Sequence, residues 1–445
     1  MSTTKEVAEF VLDLDFESLD SDVIKAGKKA FINFLAVSIY SSNDPTLKIL
    51  LELFNENTNK QLASIVGTNI KSNLDNATLA NGYLGHLEDF DDTHFPTIIH
   101  PSSPTFPSAL ALAENMGKNG KEFLLASILG IEICCRVGVA MHPSHYDQGW
   151  HITGTTGVFG SAIASATLLN LNQLQLQNCL GIAGTQAAGI REVFGTMSKP
   201  FHAGRSSQSG LLAANLASKG FTSATNIFEG RRGFFDVLAP EYDLNILTEN
   251  LGSKWEIFQN GLKPYACGVV NHPLIDAMIK FKNENQFTIN NIKNIKAYVH
   301  YLVPELVGHK QHPAIGLEGK FSFHHSMAVG LLYGRATPLE YTDTMVKDSD
   351  VEKLRNIIEC EIREDFTEEQ AIVEVTYTDD TVAIVEIGSC SGSPENPLTD
   401  KQLTDKFNIL VQETLGEQKT KQLLDLLWNL EEVDDVASIF PMMHI

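Results

Sequence analysis

This sequence is short of positive charge. Its 445 residues carry 33 Lys and Arg against 55 Asp and Glu, a formal net charge of −22. A nucleic-acid backbone needs a basic stripe, so nucleic acid is excluded as a partner, and an anionic membrane surface with it. Cysteine is sparse too: six are scattered at Cys134, Cys135, Cys179, Cys267, Cys360 and Cys390, with no CxxC pair. That removes zinc-ribbon and thioredoxin-type sites, leaves no disulfide framework, and predicts a reducing, cytoplasmic setting. Long apolar runs are missing as well. The best, Phe123 to Cys135, is short and holds Glu132, so no membrane span is expected. The first residues, MSTTKEVAEFVLDLDF, mix acids with apolar side chains and read as neither a signal nor a transit peptide. No HExxH, P-loop, GxSxG or kinase motif set occurs, and no repeat or low-complexity segment. GTTGVFG, residues 154–160, is not a dinucleotide fingerprint, because no strand precedes it and its glycines are wrongly spaced.

What is present is an ordinary globular composition, 43% hydrophobic and 20% charged, long enough for two or three domains. Through about residue 250 the pattern is helix after helix. Residues 22–40, 105–117, 121–142 and 173–189 place apolar side chains at i, i+3, i+4 and i+7. Small residues dominate 154–166 and 210–220, so these helices are expected to pack closely. The texture changes near residue 260. Residues 294–303, 358–364 and 371–387 read as strands, with Asp379-Asp380 as a hairpin turn. Helical pattern resumes at 398–415, with Thr399 as N-cap, and continues through KTKQLLDLLWNL. The predicted architecture is mainly α. A large helical domain is built from both chain ends (1–260 and 396–445), with a smaller α+β lid domain (261–395) inserted.

Five segments could carry chemistry. In EDFDDTHFPTIIHPSSP (88–104), Glu88, Asp89, Asp91, Asp92 and Thr93 precede His94 and a Pro-flanked His100. The stretch reads as a solvated helix end, a metal nest or an acid-base centre. Acids at a helix C-terminus oppose the macrodipole, and a histidine beside a carboxylate suits proton transfer near pH 7. His151 precedes a glycine-rich helix start, whose free N–H groups favour anions, and is otherwise a structural histidine. Lys199, His202 and Arg205, three apart, form a cationic loop before a helix, a natural carboxylate receptor or a plain surface loop. Lys263 stands in a second Lys-Pro element at the change of texture. His324 and His325 open an apolar helix, and at most one of them can face a site.

Taken together, GHLEDFDDTH with HPSSP, HITGTTGVFGSA, GTMSKPFHAGRSSQSGLLAA, EGRRGFFDVL, GLKPYACGVVNHPLIDA and LEGKFSFHHSMAVGLL resemble the MmgE/PrpD family. That family includes 2-methylcitrate dehydratase, cis-aconitate decarboxylase and iminodisuccinate epimerase. The resemblance implies a helical domain with an α+β lid, a homodimer, a small di- or tricarboxylate substrate, and chemistry without metal or organic cofactor. It also implies that Asp89, Thr93, His100, His151, Lys199 and Lys263 line the pocket. On this reading His100 and His151 move protons at a carbon beside a carboxylate. Asp89 orients His100, Thr93 holds a substrate oxygen, and Lys199, Lys263 and Arg205 receive the growing negative charge. His325 stands where the decarboxylating members have a tyrosine, and one extra residue separates the DFDDT and HP elements. Dehydration of a 2-methylcitrate- or citrate-like acid is therefore expected first, epimerisation of an amino- or imino-dicarboxylate second, and decarboxylation third, with a non-catalytic scaffold last.

Overall fold

The computed structural model describes residues 2–55 and 60–444. Helices take up 59% of the described residues and strands 8%, so the fold is mainly α. Two units emerge. The first comprises Met1–Leu87, Asp91–Gly261 and Thr399–Ile445; the second is Leu262–Leu398 together with the tripeptide Glu88–Phe90. The tripeptide is an excursion that hydrophobic periodicity gave no sign of.

The first unit is a stack of helices that owes its tightness to glycine. The Ser198–Ser218 helix packs against both the Leu74–Leu87 and Ile152–Leu168 helices, and the last also meets the Gly120–Met141 helix. At Gly204 a methyl group would lie 2.3 Å from the Leu79 carbonyl oxygen, and at Gly130 it would lie 2.5 Å from that of Gly160. Backbone therefore rests directly on backbone, a spacing only glycine permits. Beneath this seam Phe31 meets Phe106 and Phe123 at ring-centroid distances of 5.0 and 4.8 Å, forming an aromatic core.

The Gly120–Met141 helix is long and apolar enough to cross a membrane, but 89% of its most apolar window is buried inside the protein. It starts with a capping box between Asn119 and Glu122. Its buried Arg136 bonds Glu132 and donates to the carbonyls of Ile246, Glu249 and Lys254, so every arm of the fork has a partner. The helix foreseen over 173–189 stops at Gly184, and a loop follows in which Gly189 takes φ +122°.

In the second unit, Ile292–Val299 runs parallel to Ile358–Ile362 and antiparallel to Ala371–Tyr377, which pairs in turn with Val382–Ile387. Ala371, Val373 and Val375 are buried while the residues between them are not, the period-two alternation of a sheet covered on one face. Asp380 supplies the left-handed turn residue of the hairpin. The His272–Glu284 helix packs on this sheet and on the Phe323–Tyr333 helix. After Leu398 the chain returns to the first unit, where Thr399 caps the Asp400–Leu415 helix through a capping box with Gln402.

Candidate active site

The acidic stretch resolves into two halves with different partners. The Leu74–Leu87 helix ends, Asp89 turns with φ +51°, and Thr93–His94 pairs antiparallel with Asn260–Gly261. A tight loop, closed by the His94 N–H donating to the Ile99 carbonyl at 2.7 Å, delivers His100 to the start of the Ser102–Met116 helix. Asp91 and Asp92 thus sit at the N-terminus of the next helix, where the macrodipole favours them. Asp92 accepts from the Ser102 N–H at 3.3 Å, the Ser102 hydroxyl and the Asn260 amide. Asp91 Oδ2 accepts from the Ser103 hydroxyl at 2.6 Å.

Asp91 also connects two imidazoles. Its Oδ2 lies 2.8 Å from His86 Nδ1, and its Oδ1 lies 3.6 Å from His100 Nδ1. His100 Nδ1 is 2.9 Å from the Asp92 carbonyl, which can only accept, so this nitrogen carries a proton. The Asp91 carboxylate imposes the same tautomer on neutral His86. In both rings Nε2 is then the basic nitrogen. Thr93 Oγ1 approaches His100 Nδ1 at 3.2 Å, and the His100 N–H donates to Thr153 Oγ1 at 3.1 Å.

His151 joins from the N-cap of the Ile152–Leu168 helix, its N–H held by the Gly189 carbonyl at 3.0 Å. Its ring centroid is 5.7 Å from that of His86, and its Nδ1 is 2.9 Å from His202 Nδ1. Lys199, only 5% exposed, lies over the Phe194 ring, which meets His151 edge-on. Thr93, His100, His151 and Lys199 are therefore brought together in the first unit.

Asp89 has a partner within the second unit, where Lys263 donates to its carbonyl and carboxylate at 3.0 and 2.6 Å, and in the first unit Asp91 is the carboxylate beside the imidazoles. Three expectations need correction. Thr93 faces His100 Nδ1 rather than standing ready for a substrate oxygen alone. Arg205 is exposed and bonds Gln208 at 2.5 Å. The supposed loop is helical from Ser198, and each three-residue step on a helix drifts by about 60°, which turns Arg205 off the face of Lys199. His325 is a buried strut: Nε2 donates to the Glu340 carbonyl at 2.8 Å, and Nδ1 faces Arg355 at 3.4 Å. His86 and Asp91 are the residues that sequence reasoning passed over. A lone histidine in an apolar helix reads as core, and only its five-residue distance from Asp91 hinted otherwise.

Two family models match the chain, the MmgE/PrpD N-terminal domain over residues 5–247 and the MmgE/PrpD C-terminal domain over residues 265–431. The chain belongs to the MmgE/PrpD family. Among curated relatives it is similar to the cis-aconitate decarboxylase-like protein oryM of Aspergillus oryzae, at 23% identity over 99% of this chain and 97% of that protein. It is equally similar to the cis-aconitate decarboxylases of Aspergillus terreus and Homo sapiens. Each is 23% identical over 99% of this chain, covering 96% and 94% of those proteins. This MmgE/PrpD chain is a lyase-type enzyme.

Burial sets the electrostatics of the MmgE/PrpD cluster. It depresses His151 well below the usual histidine value, helped by the charges of His86, Lys199, His202 and His100. His202 is lowered to about 4, by burial and then by His86 and Lys199. Asp92 moves the other way, to about 7, through burial and the neighbouring Asp91. His86, Asp91 and His100 also place one metal-ligating atom each within 4.8 Å of one another.

Proposed function

We propose that this MmgE/PrpD enzyme moves a proton at a carbon next to a carboxylate of a small di- or tricarboxylate, using side chains alone. The observation that carries the reading is Asp91 set between His86 and His100, with both rings held so that Nε2 is basic. A carboxylate that fixes the tautomer of a buried imidazole is the arrangement for general base work near neutral pH. Removing such a proton places charge on an already anionic acid. Buried Lys199 supplies a cation against which that charge can develop. His151, held neutral near pH 7 by burial, is the second proton-transfer group.

Neutral imidazoles are better placed to abstract a proton than to donate one, which favours dehydration of a citrate-like β-hydroxy acid. In that reaction one imidazole takes the α-proton and a second proton-transfer group protonates the departing hydroxyl. The cis-aconitate decarboxylases among the full-length relatives favour a second reading, loss of CO2 from an unsaturated tricarboxylate followed by protonation of the carbon. Proton NMR in D2O on a panel of di- and tricarboxylates separates the two. Loss of water gives an olefinic product from a saturated hydroxy acid, and decarboxylation gives CO2 with deuterium at carbon. Exchange without net change points instead to an epimerase. If no panel member exchanges or reacts, the reading fails.

A further inference from the structure

His151 and His202 touch through the same atom of each ring: Nδ1 of one lies 2.9 Å from Nδ1 of the other. Two protonated Nδ1 atoms would repel at that distance, and so would two bare ones. The contact therefore holds a single proton, and the neutral pair consists of one Nδ1–H ring and one Nε2–H ring. The two rings differ in access. His151 is 2% exposed, whereas His202, one turn into the Ser198–Ser218 helix, keeps part of its surface open to solvent. Gly189 brings the loop against the His202 ring, where a methyl group would sit 3.0 Å from its Nδ1, and the same residue's carbonyl holds the His151 N–H. One glycine thus fixes both members.

We propose that His202 is a positioning residue that relays protons between buried His151 and solvent. The proposal rests on the proton-transfer reading above. The steps balance as follows. His151 starts with its proton on Nδ1 and a bare Nε2, while His202 has a bare Nδ1 and a proton on Nε2. When His151 Nε2 takes a proton from substrate carbon, its Nδ1 proton passes to His202 Nδ1, and the His202 Nε2 proton leaves to water. Neither ring retains charge, which matters where burial and the Lys199 cation oppose a lasting imidazolium on His151. The reverse sequence delivers a solvent proton to carbon.

Two measurements test this. Nitrogen-15 NMR of labelled histidine in the substrate-free enzyme should show residues 151 and 202 as opposite tautomers. Two Nε2–H rings would overturn the relay whatever the enzyme's substrate proves to be. The second is kinetic, on the substrate identified in D2O. His202→Ala should lower kcat on the order of 10²-fold, the scale of one general acid-base group, with little change in KM, and added imidazole should recover part of the rate. His202→Asn offers His151 a fixed acceptor but no path onward, so it should fold and bind yet stay slow. Wild-type turnover by His202→Asn would reduce His202 to an orienting role and sink the relay. A wild-type enzyme that processes none of the acids would sink the functional reading instead, with the tautomer result still standing on its own.

Discussion

Asp91 Oδ2 lies 2.8 Å from His86 Nδ1, with both side chains fully enclosed. An ionised carboxylate there accepts the Nδ1 proton and leaves Nε2 as the basic nitrogen. Asp91→Asn would turn an amide donor toward the same atom and favour the opposite tautomer. Turnover is expected to fall by roughly 10²–10⁴-fold, the scale of one general acid-base group, and the Ser103 hydroxyl, which donates to the same Oδ2, would turn to accept from the amide. Steady-state kinetics on the identified substrate checks this, and near-normal turnover would remove Asp91 from the mechanism.

Metal chelation gives a second check. The Nδ1 atoms of His86 and His100 are engaged as hydrogen-bond donors. The proposed reaction uses side chains alone, so activity is expected to survive prolonged dialysis against EDTA. Loss of activity that added zinc or manganese restores would show that His86, Asp91 and His100 ligate an ion.

The third expectation concerns pH. Burial and Asp91 raise Asp92 from 3.8 to about 7. Between these values the folded chain holds a proton that the unfolded chain has lost, so this residue's contribution to stability falls as pH rises from about 4 to about 7 and is level above. Asp92→Asn removes that slope. The stability of the variant relative to wild type should therefore climb across this window, by a few kcal/mol at most at ~1.4 kcal/mol per pH unit. Urea unfolding at pH 4.5, 6 and 7.5 measures the difference, and a flat difference would contradict it.

In the second unit, Lys263 is 1% exposed at its side chain and Asp89 5%. Breaking a buried pair strands a charge, so Lys263→Met should cost about 3–5 kcal/mol. Adding Asp89→Asn, which removes the charge and tolerates the left-handed backbone, should recover much of the loss. A double-variant cycle by chemical denaturation gives the coupling.

Gly204→Ala tests the helix seam. The new methyl group would meet the Leu79 carbonyl oxygen at 2.3 Å and the Tyr83 nitrogen at 3.0 Å, both backbone atoms. A loss of about 1–3 kcal/mol or more is expected from overpacking. Gly388→Ala, where nothing lies within 4 Å, should stay within about 0.5 kcal/mol of wild type. Calorimetric melting of the two variants checks the contrast.

Much of this architecture was legible because it follows from periodicity. The helix expected at 121–142 forms over Gly120–Met141, the hairpin turns at Asp380, and Thr399 caps its helix as the capping pattern requires. The site was legible only in part. His100, His151 and Lys199 could be named from their segments, whereas the choice between Asp89 and Asp91 could not. That choice depends on Asp89 adopting φ +51°, which breaks the regular alternation of side chains, and on a lysine 174 residues away that claims the Asp89 carboxylate. Arg205 misled for a local reason, since residues three apart share a face only over short helical spans. His325 misled for a distant one: its nitrogens are claimed by Glu340 and Arg355, and sequence gives no measure of such competition.

The Glu88–Phe90 tripeptide carries a practical consequence for anyone dissecting the protein. The polypeptide changes units at residues 87/88, 90/91, 261/262 and 398/399, so no single cut releases a self-sufficient module. Splicing out 262–398 would leave behind Glu88 and Asp89 stripped of the lysines that neutralise them. A truncation series would then report the misery of two orphaned acids rather than the worth of the missing segment, whereas a circular permutant keeps every residue and tests connectivity alone.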